Sequence, residues 1–369
     1  MSSDAVSLRR TGPEALARMA TERARAAVPV GVPPDLDAAI HVASGLGPWL
    51  PLPAQGDTLT LWEVLASLGA VDLTVARVTE PHLDALAILR EARRHGQVHD
   101  AEWSRHSAEW SDARLWQVYA AEGTERLTAT PHDRGWALSG VKPWCSLAGR
   151  ASHALVTAWD GEERRLFAVP LGHPGVSAAA GPTGAGQSTT WAARGLATVR
   201  STALAFDLAP AVPIGDPGWY LTRPGFAWGG IGVAAIWYGA TVALARRLLA
   251  GSRRREPDQV ALLHVGAIDT ALYQTRAAFA DAAAIADSGE VDPDETVLIT
   301  QRVRQSVADT ADEVLSRVGH ALGPAPLTGE EDHARRVADL TVYLRQHHAE
   351  RDLVRQGEQV LAGTPGWSW

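Results

Sequence analysis

A tryptophan followed two positions later by a small hydroxyl residue marks the stretch whose side chains are best suited to bind a ligand. Trp144, Cys145 and Ser146 follow two short runs of alternating apolar residues that are broken at Gly140. On a strand, Trp144 and Ser146 would project from one face, because side chains alternate with a period of two. An indole offers a flat apolar wall to a planar ring system, and a nearby hydroxyl can hydrogen-bond a ring nitrogen. Taken alone, Trp144 is better interpreted as an ordinary core aromatic, so the binding interpretation depends on the rest of the chain.

Three segments of different periodicity must form the elements that position this stretch. Residues 14–112 carry apolar residues at helical spacing. From about 115 to 208 the apolar period changes to two, in short runs bounded by glycine, proline and aspartate, which predicts a small antiparallel β-domain. From 210 onward the helical spacing returns. The chain is therefore predicted to be an α+β protein.

Four apolar stripes after residue 210 predict a four-helix bundle. The segment 226–245 is almost uncharged and, at about 20 residues, long enough to span a bilayer. Its glycine and alanine content instead favours a helix packed closely on all sides, so no membrane association is expected. The other stripes are Val260, Leu263, Ala267, Ala271, Thr275 and Phe279; Ile299, Val303, Val307 and Val314; and Val337, Leu340, Leu344 and His347.

In this order of segments and in the Trp-Cys-Ser stretch, the chain resembles the acyl-CoA dehydrogenase superfamily. The resemblance covers nearly the whole chain and is closest at 56–92, 135–158, 222–240 and 317–356. It implies an N-terminal helical domain (1–113), a middle antiparallel β-domain (114–212) and a C-terminal helical bundle (213–369).

The resemblance also implies FAD, bound between domains and between the subunits of a homodimer or a dimer of dimers. The strand with Trp144, Cys145 and Ser146 would lie against the isoalloxazine ring. Ala121 stands at a flavin-binding strand end where the family usually has threonine. The pyrophosphate would be bound by a neighbouring subunit through Arg255, which suits a solvated arginine cluster equally well, and through His320, in place of the usual glutamine, and Gly323.

A histidine stands where family dehydrogenases commonly carry the catalytic glutamate. Asp339 and Tyr343 match a run that precedes that residue, and eight positions after Asp339 comes His347. An unperturbed histidine pKa near 6.5 suits a base at neutral pH, so His347 is the candidate catalytic base. The alternative is a structural histidine on the apolar stripe. The family's arginine at the head of the long apolar helix is absent, because the run around Gly230 continues without it.

These features predict an FAD-dependent oxidoreductase that oxidises a CH–CH bond of an acyl-type or related small molecule, including a CoA or carrier-bound thioester. Two alternatives stay open: a flavin-dependent monooxygenase of the same fold that receives electrons from a separate reductase, and a catalytically degenerate partner subunit. No dinucleotide-binding glycine motif follows a strand, so direct use of NAD(P)H is not expected.

Composition narrows the remaining function classes. The net charge of −8 argues against binding to nucleic acid. Cys145 is the only cysteine, so an internal disulfide is excluded and a cytoplasmic location is expected. The adjacent His347 and His348 would point to different helix faces, and no metal site is predicted.

Overall fold

The computed structural model describes residues 4–98, 115–132, 135–179, 191–254 and 256–363. Helices at both ends of the chain flank strands in the middle, in the order that the sequence predicts. The N-terminal helices are α1 (Ala15–Ala27), α2 (Leu36–Leu46), α3 (Thr58–Val71) and α4 (Leu73–Arg94). The strands are β1 (Trp116–Tyr119), β2 (Thr128–His132), β3 (Gly135–Ser146), β4 (His153–Asp160), β5 (Glu163–Pro170), β6 (Val176–Ala178) and β7 (Ser201–Ile214).

The C-terminal part consists of three long helices and several shorter ones. The long helices are α6 (Pro224–Arg254), α7 (Gln259–Ser288) and α8 (Pro293–Leu322). The shorter ones are α5 (Trp219–Thr222), α9 (Ala325–Gly329), α10 (Glu331–Tyr343) and α11 (Glu350–Leu361), with a 3₁₀ turn at Leu344–Gln346.

Helices α3 and α6 cross at a contact that only glycine permits. A Cβ atom at Gly69 would overlap the carbonyl oxygen of Ile236, and one at Gly239 would overlap that of Ala66. The two backbones therefore touch, which explains the glycine and alanine content of the long apolar segment. Helix α6 is long and apolar enough to cross a membrane, but 67% of its most apolar window is buried inside the protein, as in a core helix.

The strands form a closed ring rather than the purely antiparallel domain that the sequence predicts. The ring runs β4–β2–β3–β7–β5 and back to β4, with β1 added to β4 and β6 added to β7. Four neighbouring pairs in the ring are antiparallel, but β2 pairs with β4 in parallel through Thr128 and Trp159. A ring of five strands cannot alternate direction throughout, so one parallel pair is a geometric consequence of closure. The pairing of β1 with β4 is also parallel.

The last predicted bundle helix is shorter than its apolar spacing suggests. Helix α10 ends at Tyr343, and after the 3₁₀ turn His347 is extended, with φ −83° and ψ 128°. Ala349 then has a φ of +49°, a left-handed conformation that no α-helix contains. The predicted helix through His347 is therefore wrong, and this residue lies at a break between α10 and α11.

The predicted stripe of α7 is wrong in its first turns. Val260 and Leu263 are 61% and 60% exposed. The face that packs on the bundle begins instead at His264 and continues through Ile268, Ala271, Thr275 and Phe279. Apolar residues occur on both faces of these turns, so the tertiary contacts, not the spacing, select the buried face.

Candidate active site

Trp144 stands out as a large aromatic residue that is exposed on a strand. The pairing of β3 with β7 shifts register between Lys142 and Cys145, and at this bulge Trp144 has a φ of +57°. Its side chain is 51% exposed, whereas Cys145 and Ser146 are buried. A non-glycine residue in the left-handed region stores strain, which is found preferentially at binding sites. About half of the Trp144 surface is therefore open to solvent.

Ser146 ties the end of β3 to helix α4. Its hydroxyl accepts a hydrogen bond from Nη2 of Arg77 at 3.0 Å and lies 2.8 Å from the hydroxyl of Ser201. The hydroxyl of Tyr119 donates to the carbonyl oxygen of Ser146 at 2.8 Å. Trp144 and Ser146 thus have different surroundings, and the serine hydroxyl already has partners within the protein. Burial raises the pKa of the neighbouring Cys145 thiol to about 12, which suppresses its reactivity.

Arg77 extends this connection from the β-domain to the helices. Its guanidinium lies over the ring of Tyr343 on α10, 5.6 Å from the ring centroid. One turn further along α4, the Glu80 carboxylate lies 3.7 Å from Arg77 Nη1. Arg77 therefore links Ser146 on β3 to the acidic face of α4.

Glu80 opens onto a cavity of about 370 Å³ between α4, α6, α8 and the break after α10. The aromatic part of its wall is the edge-to-face pair of Tyr220 and Phe226, with ring centroids 5.3 Å apart. The charged residues that line it are Glu80, Asp84, Arg223, Arg304, His348, Asp352 and Arg355. A concave site with converging polar groups is where a small molecule is expected to bind.

Along α4, Glu80 differs from the other two acids of its face. Burial raises the pKa of Glu80 to about 7, against the opposing effect of the Arg77 charge, and no hydrogen bond to Glu80 exists within the described residues. Burial also raises the pKa of Asp84, although Arg223 donates to it at 3.2 Å. Glu91 accepts from Arg223 at 2.7 Å and from the backbone N–H of Gly225 at 3.1 Å. Glu80 is thus the carboxyl group that is free to exchange a proton near neutral pH.

Arg304 brings a guanidinium to the helix position where the family's arginine is missing. Its Nη1 donates to the carbonyl oxygen of Gly230 at 2.6 Å, and the guanidinium carbon lies 5.0 Å from the ring centroid of Trp237. A Cβ atom at Gly230 would lie 3.6 Å from the Cδ atom of Arg304. The side chain from α8 therefore lies beside the position from which a side chain at residue 230 would project.

His347 lies behind the cavity wall. Its Nδ1 accepts the backbone N–H of Ala349 at 3.1 Å, so the neutral ring carries its proton on Nε2. That nitrogen is buried, has no hydrogen bond to any described residue and lies 3.7 Å from the Asp352 carboxylate; the ring stands edge-on to Trp237. Burial lowers the pKa of His347. The cavity is lined by His348 and Asp352 rather than by His347, whose role as base stays a prediction.

The other predicted cofactor residues lie apart from this cavity. Ala121 is half-buried in the loop after β1. His320 is exposed near the end of α8, 6.3 Å from the ring of His264, and Gly323 ends that helix with a φ of +66°. The resemblance assigns these two residues to the FAD of a neighbouring subunit, so they stay predictions. Arg255 lies outside the described residues.

Sequence reasoning missed Glu80 and Arg304. The signal for Glu80 was its spacing of three from Arg77 on a predicted helix, but Arg304 has no motif around it. Within the described ranges, no group of three histidine, cysteine, aspartate or glutamate side chains is placed to hold a metal ion.

Comparison with known proteins places this geometry in a structural context. No protein-family model and no curated protein matches the chain. The solved structure of KijD3 in complex with dTDP is 21% identical, with 95% of this chain and 98% of that chain aligned and a TM-score of 0.74. Butyryl-CoA dehydrogenase from Megasphaera elsdenii is 16% identical over 95% and 99% of the two chains, with a TM-score of 0.73.

A third structure, dibenzothiophene monooxygenase (TdsC) from Paenibacillus sp. A11-2, is 18% identical over 95% and 96%, with a TM-score of 0.69. KijD3 has been solved with FMN and a dTDP-linked amino-keto sugar, and TdsC with FMN and indole. At these identities the likeness shows the fold, which is that of butyryl-CoA dehydrogenase. The predicted resemblance to the acyl-CoA dehydrogenase superfamily is thereby confirmed at the level of fold.

Proposed function

We propose that this chain is a flavin-dependent monooxygenase that acts on a small molecule in the cavity beside Glu80. The observation that carries this proposal is the burial of His347 behind the cavity wall. A dehydrogenase needs a base within hydrogen-bond reach of the carbon-bound proton that it removes. At the position of the family's glutamate this chain presents a buried imidazole instead.

Asp352, the carboxylate on the same side of the cavity, is not a substitute for that glutamate. It forms an ion pair with Arg355, lies 3.4 Å from Nδ1 of His348, and accepts the backbone N–H of His348 at 3.0 Å. These interactions lower the pKa of Asp352, which makes it a weak base. The α10–α11 side of the cavity therefore supports oxygenation better than proton abstraction.

The residues present fit a flavin ring at the end of β3. Trp144 offers a half-exposed indole face at a strained bulge, and the Arg77 guanidinium lies behind Ser146, where it favours electron-rich ring atoms. A bound reduced flavin supplies two electrons and two protons, so that one oxygen atom of O₂ enters the substrate and the other leaves as water. The protein would hold the substrate, exclude bulk water and position Glu80 to move a proton. FAD remains the predicted form, and FMN is the alternative.

The second candidate is dehydrogenation of a short acyl group with Glu80 as the base. Glu80 lines both the polar cavity and a small apolar cavity of about 40 Å³ between Trp62, Leu65 and Trp228. A carboxyl group with a pKa of about 7 is half ionised at neutral pH and suits proton abstraction. In that reaction the substrate would lose one proton to Glu80 and a hydride to oxidised flavin.

An anaerobic and an aerobic experiment on the same protein separate these candidates. The protein is reconstituted with FAD or FMN and the flavin is identified after denaturation. For a monooxygenase, photoreduced protein mixed with ¹⁸O₂ and indole should yield a product that carries one ¹⁸O atom. For a dehydrogenase, butanoyl-CoA should bleach the oxidised flavin without oxygen. Protein that binds neither flavin would contradict both and favour the degenerate partner subunit.

We also propose that the chain forms a homodimer or a dimer of dimers. Val260, Leu263 and Tyr273 on α7 are each at least 60% exposed, which leaves an apolar face open to a second copy. Light scattering at micromolar concentration should give at least twice the mass of one chain, and a flavin-bound monomer would contradict the proposal.

A further inference from the structure

The charged groups that line the cavity are almost all paired with one another. Arg223 contacts both Asp84 and Glu91. Arg355 pairs with Asp352. Glu80 lies 3.7 Å from Arg77, a residue that does not itself line the cavity. Each of these cations therefore has at least one carboxylate partner within 4 Å.

Arg304 is the exception. Within the described ranges no carboxylate lies within 4 Å of its guanidinium, and its one hydrogen bond is to the carbonyl oxygen of Gly230. A guanidinium has five N–H donors, and most of these remain available on a side chain that is only partly exposed. The guanidinium carbon lies 5.0 Å from the centroid of the Trp237 ring, a cation–π contact that restrains the side chain.

We infer that Arg304 binds an oxyanion of the substrate, a carboxylate or a phosphate ester, on the α8 side of the cavity. This inference rests on the proposed function, since it takes the cavity beside Glu80 as the substrate site. Arginine suits this role because its planar fork donates two parallel hydrogen bonds to carboxylate or phosphate oxygens. Among the described residues, the carboxylates of Asp352 and Glu80 act on Arg304 only from beyond 4 Å, so a bound anion would supply the counter-charge in direct contact.

The rest of the cavity indicates what the oxyanion is attached to. The edge-to-face pair of Tyr220 and Phe226 forms an apolar stretch of the lining, and the amide groups of Gln301 and Gln346 add polar contacts. The Oε1 atom of Gln301 is buried and accepts no hydrogen bond from the part of the chain that the structure describes, so it can accept one from a ligand hydroxyl or amine. A small organic acid with an apolar body matches this arrangement.

Calorimetric titration tests the assignment without any catalysed reaction. Benzoate and its neutral isostere benzamide are titrated into the flavin-reconstituted protein, and inorganic phosphate and dTDP are titrated separately. Benzoate should bind at least about 10-fold more tightly than benzamide, the effect of a charge-assisted hydrogen bond. A preference for dTDP over benzoate would identify the oxyanion as a phosphate ester, and the reverse would identify a carboxylate.

Substitutions of Arg304 test whether this side chain contributes to the affinity for the anion. Arg304→Gln keeps a donor for the Gly230 carbonyl and should weaken benzoate or dTDP binding by about 10- to 100-fold, while Arg304→Lys should retain part of the affinity. Arg317→Gln is the matched control, because Arg317 lies on the same helix and pairs with Glu313 at the surface. Its affinity should equal that of the wild type.

Three results would overturn the inference. They are equal binding of benzoate and benzamide to the wild-type protein, no binding of any of these anions at tens of millimolar, and unchanged affinity in folded Arg304→Gln. The benzoate–benzamide comparison needs only the wild type, so it decides the matter even when a variant fails to fold. Repeating it on flavin-free protein separates this inference from the flavin assignment, because absent flavin binding leaves the titration readable.

Discussion

The two ends of one acidic face on α4 show opposite solutions to the burial of charge. At the C-terminal end, Glu91 and Asp84 share the guanidinium of Arg223, whose side chain is 2% exposed. Glu80 lies three turns from Glu91 and one turn from Asp84, towards the N-terminus, and has no hydrogen bond within the described residues. Across the cavity, no carboxylate of the described residues lies within 4 Å of Arg304. The same helix therefore carries a saturated cluster and an unsaturated one.

The difference separates a structural role from a chemical one. A buried ion pair with complete hydrogen bonding holds two elements together but has nothing left for a ligand. The Arg223 cluster joins α4 to the start of α6, through the Gly225 backbone as well as the side chains. Under the proposed function, Glu80 would exchange a proton with the substrate and Arg304 would bind its oxyanion. Each prediction below changes one member of this comparison.

The largest effect is expected at the saturated end. Arg223→Met keeps the volume of the side chain but leaves Glu91 and Asp84 without their cation. We expect the free energy of unfolding to fall by about 3–5 kcal/mol, the usual cost of breaking a buried pair. Urea unfolding measures this loss. The double variant Arg223→Met/Glu91→Gln should recover much of it, because the remaining buried charge is smaller.

A loss below about 1 kcal/mol in Arg223→Met would mean that this cluster behaves like a surface pair. In that case the contrast between the two ends of α4 would not hold. Arg317→Met, at the surface pair with Glu313, is the matched control and should stay within about 1 kcal/mol of the wild type.

At the unsaturated end, Glu80 should make the free energy of unfolding depend on pH. The pKa of Glu80 is raised from 4.5 to about 7 in the folded protein, so folding favours the protonated carboxyl. The stability that this group contributes is complete below pH 4.5 and is lost as the pH rises through about 7. The loss amounts to at most about 3 kcal/mol.

Glu80→Gln isolates this contribution from those of the other ionisable groups. The variant cannot ionise at this position, so its stability relative to the wild type should rise between pH 5 and pH 7.5. Urea unfolding at both pH values gives the difference. A constant difference would show that the carboxyl titrates at its ordinary pKa and that Glu80 is not the proton-exchanging group of the cavity.

Local patterns in the sequence predict part of the fold but not the contacts between distant segments. The order of helices and strands and the packed helix at 226–245 follow from local spacing and composition. The closure of the strand ring depends on one bridge between Thr128 and Trp159, residues that no local pattern connects. The break after Tyr343 escaped prediction because Leu344 and His347 continue the helical apolar spacing.

The roles of Glu80 and Arg304 escaped prediction for a different reason. Their significance lies in the partners that they lack, and a missing counter-charge is a property of the assembled helices. Nothing in the residues next to Arg304 in the sequence distinguishes it from Arg302 or Arg317 on the same helix. Only the placement of its guanidinium at the Gly230 carbonyl, beside the cavity, separates it from them.

The smallest effect is expected at His347, because one of its ring nitrogens has a hydrogen-bond partner and the other has none among the described residues. Its Nδ1 accepts the Ala349 N–H at the helix break, and its Nε2 lies 3.7 Å from Asp352 with no hydrogen bond to any described residue. His347→Ala should lower the free energy of unfolding by about 1–3 kcal/mol, because a backbone donor loses its partner. The neighbouring His348, with a side chain that is 61% exposed, provides the control, and His348→Ala should leave stability nearly unchanged.

We expect substrate oxidation by folded His347→Ala to stay within about 10-fold of the wild type, since the ring does not line the cavity. A catalytic base at this position would instead show a fall of about 10²–10⁴-fold with little change in stability. That result would return the chemistry to the α10–α11 break and leave Glu80 without its proposed role.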